Sequence, residues 1–289
     1  MRRCFACNVY FSSTLEDCPT CGVSPVLLDG FRAYAPEFAH DGGGFKSTYF
    51  SDLAGLEKAN FWFQSRNSLI LWALKKYFPA LSSIMEVGCG TGFVLSGVSE
   101  AFPSARLVGS EIFVAGLHYA SLRIPRAEFL QMDARRIPYE NEFDVVGAFD
   151  VIEHIKEDKV VLQSMFNAIK PGGGLIITIP QHQWLWSAAD DYACHERRYS
   201  SVDLHAKLQE AGFEIIRSTS FVSLLLPAMM FSRMRSSIAK EFDALGELRV
   251  NPVINWILKS VMSFERVLIQ LGINIPFGGS RLVVARRPF

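Results

Sequence analysis

The sequence predicts an α/β fold of the doubly wound kind, in which short buried strands alternate with helices that cover both faces of a sheet. Three observations carry that expectation. Residues 84–92, Ile-Met-Glu-Val-Gly-Cys-Gly-Thr-Gly, are an apolar lead-in that ends in three glycines at alternate positions. Nineteen residues after the last of these, Val108-Gly109-Ser110-Glu111 ends a second apolar run in a carboxylate. Further short apolar runs follow at 127–132, 143–149 and 175–179, with helical or turn-forming sequence between them. At 289 residues and 49% hydrophobic content the chain has ample material for a large core.

The first 28 residues read as a separate small module. Cys4-x-x-Cys7 and Cys18-x-x-Cys21 are ten residues apart, with Pro19 and Gly22 shaping the second turn. Two such turns can place four thiolates tetrahedrally, the donor set of a structural Zn²⁺ ribbon; reduced thiols in a small β-hairpin and a redox pair are the alternatives. No Lys or Arg occurs between residues 4 and 28, and four thiolates around a divalent ion leave excess negative charge. That argues against a phosphate-gripping module and favours a structural, lid or protein-contact role. The formal net charge of zero likewise provides no global field to attract nucleic acid. The N-terminal residues lack the apolar run of a secretion signal, so a cytoplasmic protein with reduced or metal-bound cysteines is expected.

Residues 29–80 read as a linker and an entrance helix, with Gly42-Gly43-Gly44 marking a flexible turn. The spacing of Leu69, Ile70, Ala73, Leu74 and Tyr77 predicts a helix over 61–78, and Lys75 and Lys76 suit its C-terminal dipole. Its start, Phe61-Trp62-Phe63 with Arg66 one turn on, is unusually aromatic, and one reading is a core-packing helix start with a solvated Arg. Residues 81–289 form the main domain. In the strand–loop–helix unit at 83–101, Gly88, Gly90 and Gly92 let the backbone turn tightly and approach a ligand, while helix N–H groups face it. Glu111, at the end of the next strand, can accept both hydroxyls of a ribose.

The loop is Glu-x-Gly-x-Gly-x-Gly rather than G-x-G-x-x-G, and Phe93 stands where a third dinucleotide glycine would fall. In this it resembles the class I S-adenosylmethionine (SAM) dependent methyltransferases, whose first motif is an acid followed by G-x-G-x-G. The resemblance runs over about half the chain, from Ser83 to Phe221. It implies a seven-stranded, mostly parallel sheet whose last strand, 281–286, runs antiparallel beside the sixth, 213–220. It also implies that Glu86 with Gly88, Cys89, Gly90 and Gly92 holds the methionine end of SAM, that Glu111 and Ile112 meet its ribose, and that Asp133 and Ala134 meet its adenine. Asp150 completes this cofactor set at the end of the fourth strand. The resemblance also suggests the other reading of the aromatic start at 61–63, a cover over the ligand pocket. The Pro-Gly-Gly turn at 171–173, before the fifth strand, is another recurrent feature of the superfamily.

Residues 180–199 form a long polar-aromatic connection on the edge of the sheet where ligands bind. Its end resembles a bacterial branch of these enzymes with an H-x-R-R-Y segment, often encoded beside glycan or lipid-linked sugar genes. Here His195 is a candidate base, Arg197 or Arg198 an anion clamp, and Tyr199 a further substrate contact; the competing reading is a hydrogen-bond cluster that fixes the loop. His154, after the fourth strand, is the second candidate base. The main departure from the family is a helical insert at 221–280, between the sixth and seventh strands. Its apolar run at 221–231 is too short to cross a bilayer, and Val253, Trp256, Ile257, Val261, Phe264, Leu268 and Leu271 recur at helical spacing. The insert is expected to be a packing cap, a membrane-surface or lipid-substrate site through 221–277, or a dimer interface. The leading expectation is methyl transfer from SAM to an oxygen of a small-molecule, glycan, lipid-linked or quinone-like acceptor. An RNA methyltransferase using the ribbon and a non-catalytic SAM-binding protein are the alternatives.

Overall fold

The computed structural model describes residues 1–40, 49–236 and 249–289, with no side-chain description for 232–236. The glycine triplet at 42–44 and the middle of the 221–280 insert lie outside these residues. In chain order the elements are β1 (Arg2–Arg3), β2 (Tyr10–Phe11), β3 (Val26–Leu28), β4 (Phe31–Ala33), α1 (Tyr49–Leu56), α2 (Phe61–Tyr77), β5 (Ser83–Val87), α3 (Phe93–Ala101), β6 (Arg106–Glu111), α4 (Val114–Arg123) and β7 (Glu128–Gln131). They continue with β8 (Phe143–Phe149), α5 (Asp158–Ala168), β9 (Ile169–Pro180), α6 (Ala188–Tyr192), α7 (Ser201–Glu210), β10 (Glu214–Phe221), α8 (Leu226–Ser236), α9 (Pro252–Gln270) and β11 (Ser280–Arg286).

The main sheet has the order β10-β11-β9-β8-β5-β6-β7-β4-β3. The seven strands expected from the sequence are its core. β5 to β9 pair in parallel, and β11 runs antiparallel to both β9 and β10. β5 is buried at all five residues, as a central strand covered on both faces requires. Two apolar layers follow. One packs Met85, Val146, Leu162 and Leu204 on one face; the other packs Ile70, Leu74, Leu95, Leu107 and Leu117 on the other.

Two strands were not anticipated. The hairpin β3–β4 extends the sheet beyond β7, with β4 parallel to it. It turns through Asp29 and Gly30, at φ 49° and 86°. Part of the segment read as ribbon and linker therefore belongs to the main sheet. Gln131 locks this edge, since its side chain donates to the Ala35 and Ile112 carbonyls at 2.7 and 2.9 Å and accepts from the Ala35 N–H at 3.1 Å.

The cysteine module docks away from the ligand edge. Arg3 N–H donates to the Pro138 carbonyl at 2.8 Å, the N-terminal ammonium donates to Glu142 at 2.5 Å, and Ser13 donates to the same carboxylate at 2.5 Å. Both partner residues precede β8 and so sit at the strand's N-terminal end. Buried Arg2 ties the module together by donating to the carbonyls of Leu15 and Glu16, and links it to the main sheet's edge through the Tyr34 hydroxyl.

The insert packs as a cap. Asn255 of α9 accepts the Phe61 N–H at 2.8 Å and donates to the Ala59 carbonyl at 2.9 Å, tying α9 to the start of α2. Buried Glu265 accepts the N–H groups of Ser223 and Leu224, both at 2.7 Å, and so fixes the corner after β10. The opposite face of α9 presents Val253, Trp256, Ile257, Phe264 and Leu271 outward. No helix among the described residues is long and apolar enough to cross a membrane.

Candidate active site

A cavity of about 1030 Å³ opens at the C-terminal ends of β5, β6, β7 and β8, where ligands collect in open α/β sheets. Glu86, Gly88, Cys89, Gly90, Glu111, Ile112, Asp133, Ala134, Asp150, His154, His195 and Arg198 all line it. No residue of the cysteine module does, which removes the lid reading of that module.

The glycine loop is built for close approach. Gly88 has φ 68°, and a Cβ there would stand 2.5 Å from the Val151 side chain. Gly92, at φ 75°, caps α3 and packs against Ala120, where a Cβ would meet an atom at 3.0 Å. It does not line the cavity, so its contribution is to seat α3 rather than to touch a ligand. Glu111 accepts the N–H of Gly90 at 3.0 Å and of Ile112 at 2.9 Å, which stiffens the loop and aims the carboxylate into the cavity. Burial holds its pKa above the usual carboxylate range against these hydrogen bonds.

Glu86 is fully enclosed, and its Oε2 has no protein partner among the described residues. Burial pushes its pKa to about 8, with Arg66 opposing and Glu57 reinforcing the shift. An orphaned acid beside a glycine loop fits the ammonium of a bound amino acid. Asp133 caps the turn at 134–136 through the Arg135 N–H at 2.9 Å, and the Arg135 guanidinium pairs with it at 2.8 Å. Both of its carboxylate oxygens are therefore already engaged by Arg135 where it lines the cavity. Asp150 sits at φ 59° at the end of β8, a conformation that favours glycine and costs a few kcal/mol elsewhere. Arg66 and Thr178 both donate to it.

Arg66 is buried rather than solvated, lies 4.5 Å from the Trp62 ring, and lines the cavity with Phe61, Trp62 and Phe63. The aromatic helix start thus covers the pocket and carries the counter-ion of Asp150. Sequence reasoning also missed Glu57, a buried acid that accepts from Thr91 of the glycine loop at 2.7 Å and from Arg123 at 2.9 Å.

The turn after β8 and the loop 181–199 line another part of the cavity. His154 and His195 meet edge to face, with ring centroids 4.7 Å apart. Burial, reinforced by His195, lowers the pKa of His154 to about 4, so its ring is neutral at physiological pH. His195 Nδ1 lies 2.9 Å from Asp190 Oδ1, and Arg198 Nε donates to the same oxygen at 2.7 Å. The Asp190 side chain is fully buried, and its second oxygen accepts the Ser187 N–H at 2.9 Å in a capping box. Its pKa is held at about 2, where His195 and Arg198 outweigh burial. Asp190 is the orienting acid that the sequence reading did not single out.

Arg197 and Tyr199 are not brought to the cavity. Arg197 pairs with Asp158 at 2.7 Å and donates to the Ile155 and Lys156 carbonyls. Tyr199 is buried and donates to the same Asp158 at 2.7 Å. The H-x-R-R-Y segment is thus divided: His195 and Arg198 face the cavity, while Arg197 and Tyr199 pin the loop to the start of α5.

The four cysteine sulfurs lie within 4.8 Å of one another, with Cys4–Cys21 at 3.6 Å and Cys7–Cys18 at 3.5 Å. Four thiolates about 2.3 Å from one Zn²⁺ would stand about 3.8 Å apart, so the donor set fits.

Sheet order, glycine loop and acid-tipped β6 together define the class I SAM-dependent methyltransferase superfamily. The family described as "Methyltransferase domain" matches residues 60–218, and the chain belongs to it. A probable S-adenosylmethionine-dependent methyltransferase of Mycolicibacterium smegmatis is 25% identical over 166 residues, 56% of this chain and 63% of that one. Trans-aconitate 2-methyltransferase of Paracidovorax citrulli is 32% identical over 106 residues, 36% of this chain and 41% of that one. The chain thus spans less than two thirds of either relative. One chain of the Haloferax volcanii complex between the Trm112 methyltransferase activator and a methyltransferase shares the fold. It superposes with a TM-score of 0.55 at 15% identity, over 84% of this chain and 97% of that one.

Proposed function

We propose that the protein transfers the methyl group of SAM to an oxygen of an acceptor with an apolar body, of the quinone-like or lipid-linked kind. One observation carries this reading. A single cavity joins the glycine loop and Glu111 to the His154–His195 pair and then to an apolar wall of Leu225, Met229 and Leu258 from the insert. In it Glu86 takes the ammonium of the methionine moiety, Glu111 the ribose, and the Asp133–Ala134 turn the adenine edge.

Transfer is an in-line displacement. The acceptor oxygen forms the C–O bond as the C–S bond breaks, and the sulfonium leaves as a neutral thioether that needs no acid. The protein's work is alignment and removal of the acceptor proton. His195, its Nδ1 held by Asp190, is the acceptor-side base. Neutral His154 packs against it. The Cys4, Cys7, Cys18 and Cys21 set holds a structural Zn²⁺, and the outward apolar face of α9 suits contact with the surface from which a lipid-linked acceptor is drawn.

The test is to incubate the protein with methyl-labelled SAM and whole-cell extract and to separate organic, aqueous and RNA fractions. Label is expected in the organic fraction; label confined to RNA would overturn the acceptor class. The cofactor pose has its own signature. Glu86 titrates near 8 in the free protein, so it is mainly protonated at pH 7, and a bound ammonium draws it back to the charged form. SAM binding at pH 7 should therefore release close to one proton, whereas Glu86→Gln should release almost none. Calorimetry in buffers of different ionisation enthalpy reads this directly.

A further inference from the structure

We propose that Glu153, His154 and His195 form a second metal site, distinct from the cysteine set, that takes one divalent ion of the zinc or iron(II) kind at the acceptor end of the cavity. Each of the three offers one ligand atom, and these atoms all lie within 4.8 Å of one another. Imidazole nitrogens and carboxylate oxygens bind such ions at about 2.0–2.2 Å, so ligands on one ion stand at most about 4.4 Å apart. Small rotamer adjustments complete the set.

Glu153 supplies the strongest reason. It is fully buried, lines the cavity, and neither carboxylate oxygen has a protein partner among the described residues. Enclosing a carboxylate this way costs several kcal/mol unless a cation or a proton meets it. The nearby guanidinium groups are committed elsewhere, since Arg66 pairs with Asp150 and Arg198 with Asp190. A bound cation resolves the cost without moving either pair.

The surroundings of the histidines match. Asp190 on His195 Nδ1 places the ring proton there and leaves the Nε2 lone pair for an ion, the carboxylate–histidine arrangement that supports metal ligands. His154 lies against the backbone carbonyls of Ala193 and Cys194. The two ligand-bearing segments are tied together, because Glu196 N–H donates to the Glu153 carbonyl at 2.8 Å. Two imidazoles and one carboxylate leave open positions facing the cavity, as catalytic rather than structural sites do. The site's use rests on the methyl-transfer reading and takes over its proton step: with the ion bound, His195 Nε2 is a ligand and not a base, and an acceptor hydroxyl at an open position would be oriented and made acidic enough to lose its proton to solvent, as metal-bound water is.

Metal binding is tested without turnover. Full-length protein is equilibrated with Zn²⁺, desalted, and counted by mass spectrometry. Glu153→Gln combined with His195→Gln should hold one zinc fewer than wild type, and Cys-to-Ser changes at 4, 7, 18 and 21 should leave this second zinc in place. Equal counts in wild type and the Glu153/His195 variant, with SAM binding retained by both, would overturn the proposal. Should that variant fail to fold, the cysteine variant loaded with Co²⁺ decides. Weak d–d bands without thiolate charge transfer support the site, and a spectrum of free aqueous Co²⁺ refutes it. Neither measurement needs an acceptor, so failure of the methyl-transfer reading would leave both results intact.

Discussion

Replacing Glu111 with Ala is expected to raise the dissociation constant for SAM by about a hundredfold or more. Hydrogen bonds to a charged group are worth about 1.5–3 kcal/mol each, and one carboxylate serves two ribose hydroxyls in the proposed pose. The same oxygens hold the N–H groups of Gly90 and Ile112, so the substitution also loosens the loop that approaches the cofactor. Glu111→Gln keeps the shape but loses the charge and one acceptor, and should fall between. Calorimetric titration of SAM into the three proteins checks this. A Glu111→Ala affinity within threefold of wild type would show that the nucleoside lies elsewhere.

His195→Ala is expected to lower turnover by about 10²–10⁴, the usual range for loss of a general base, while SAM affinity stays within a few fold. The asymmetry follows from position, since His195 belongs to the 181–199 loop and not to the glycine loop or β6. Asp190→Asn should reproduce much of the loss. An amide can donate to Nδ1 and stabilise the wrong tautomer, and Arg198 would lose its counter-ion. The Asp190 pKa is depressed in the folded protein, so the stability it lends is present above the ordinary Asp value and is lost as pH falls toward 2. Single-turnover rates with a labelled acceptor fraction, paired with SAM calorimetry, separate the two effects. Equal loss of turnover and SAM binding would place His195 in the cofactor site instead.

Much of this arrangement is legible in the sequence. β5 and β6 announce themselves because central strands covered on both faces are continuous apolar runs, and the glycine spacing is a local backbone requirement. The cavity partners were harder to read because their meaning lies in distant residues. Arg66 looks like a solvated helical Arg until the fold brings Asp150, 84 positions away, against it. Asp190 and Asp191 are adjacent in the sequence, and only tertiary packing decides that the first is buried beneath His195. Arg197 and Arg198 divide in the same way, since neighbouring residues on an extended segment point to opposite sides. The β3–β4 hairpin did leave a signal: Asp29-Gly30 between Val-Leu-Leu and Phe-Arg-Ala is a favoured two-residue turn.

The most direct measurement is a crystal structure with S-adenosylhomocysteine bound. Both ribose hydroxyls are expected on Glu111, the ammonium on Glu86, and the sulfur turned toward the Glu153–His154–His195 end of the cavity. A nucleoside seated away from Glu111, or a sulfur facing away from the two histidines, would contradict this pose.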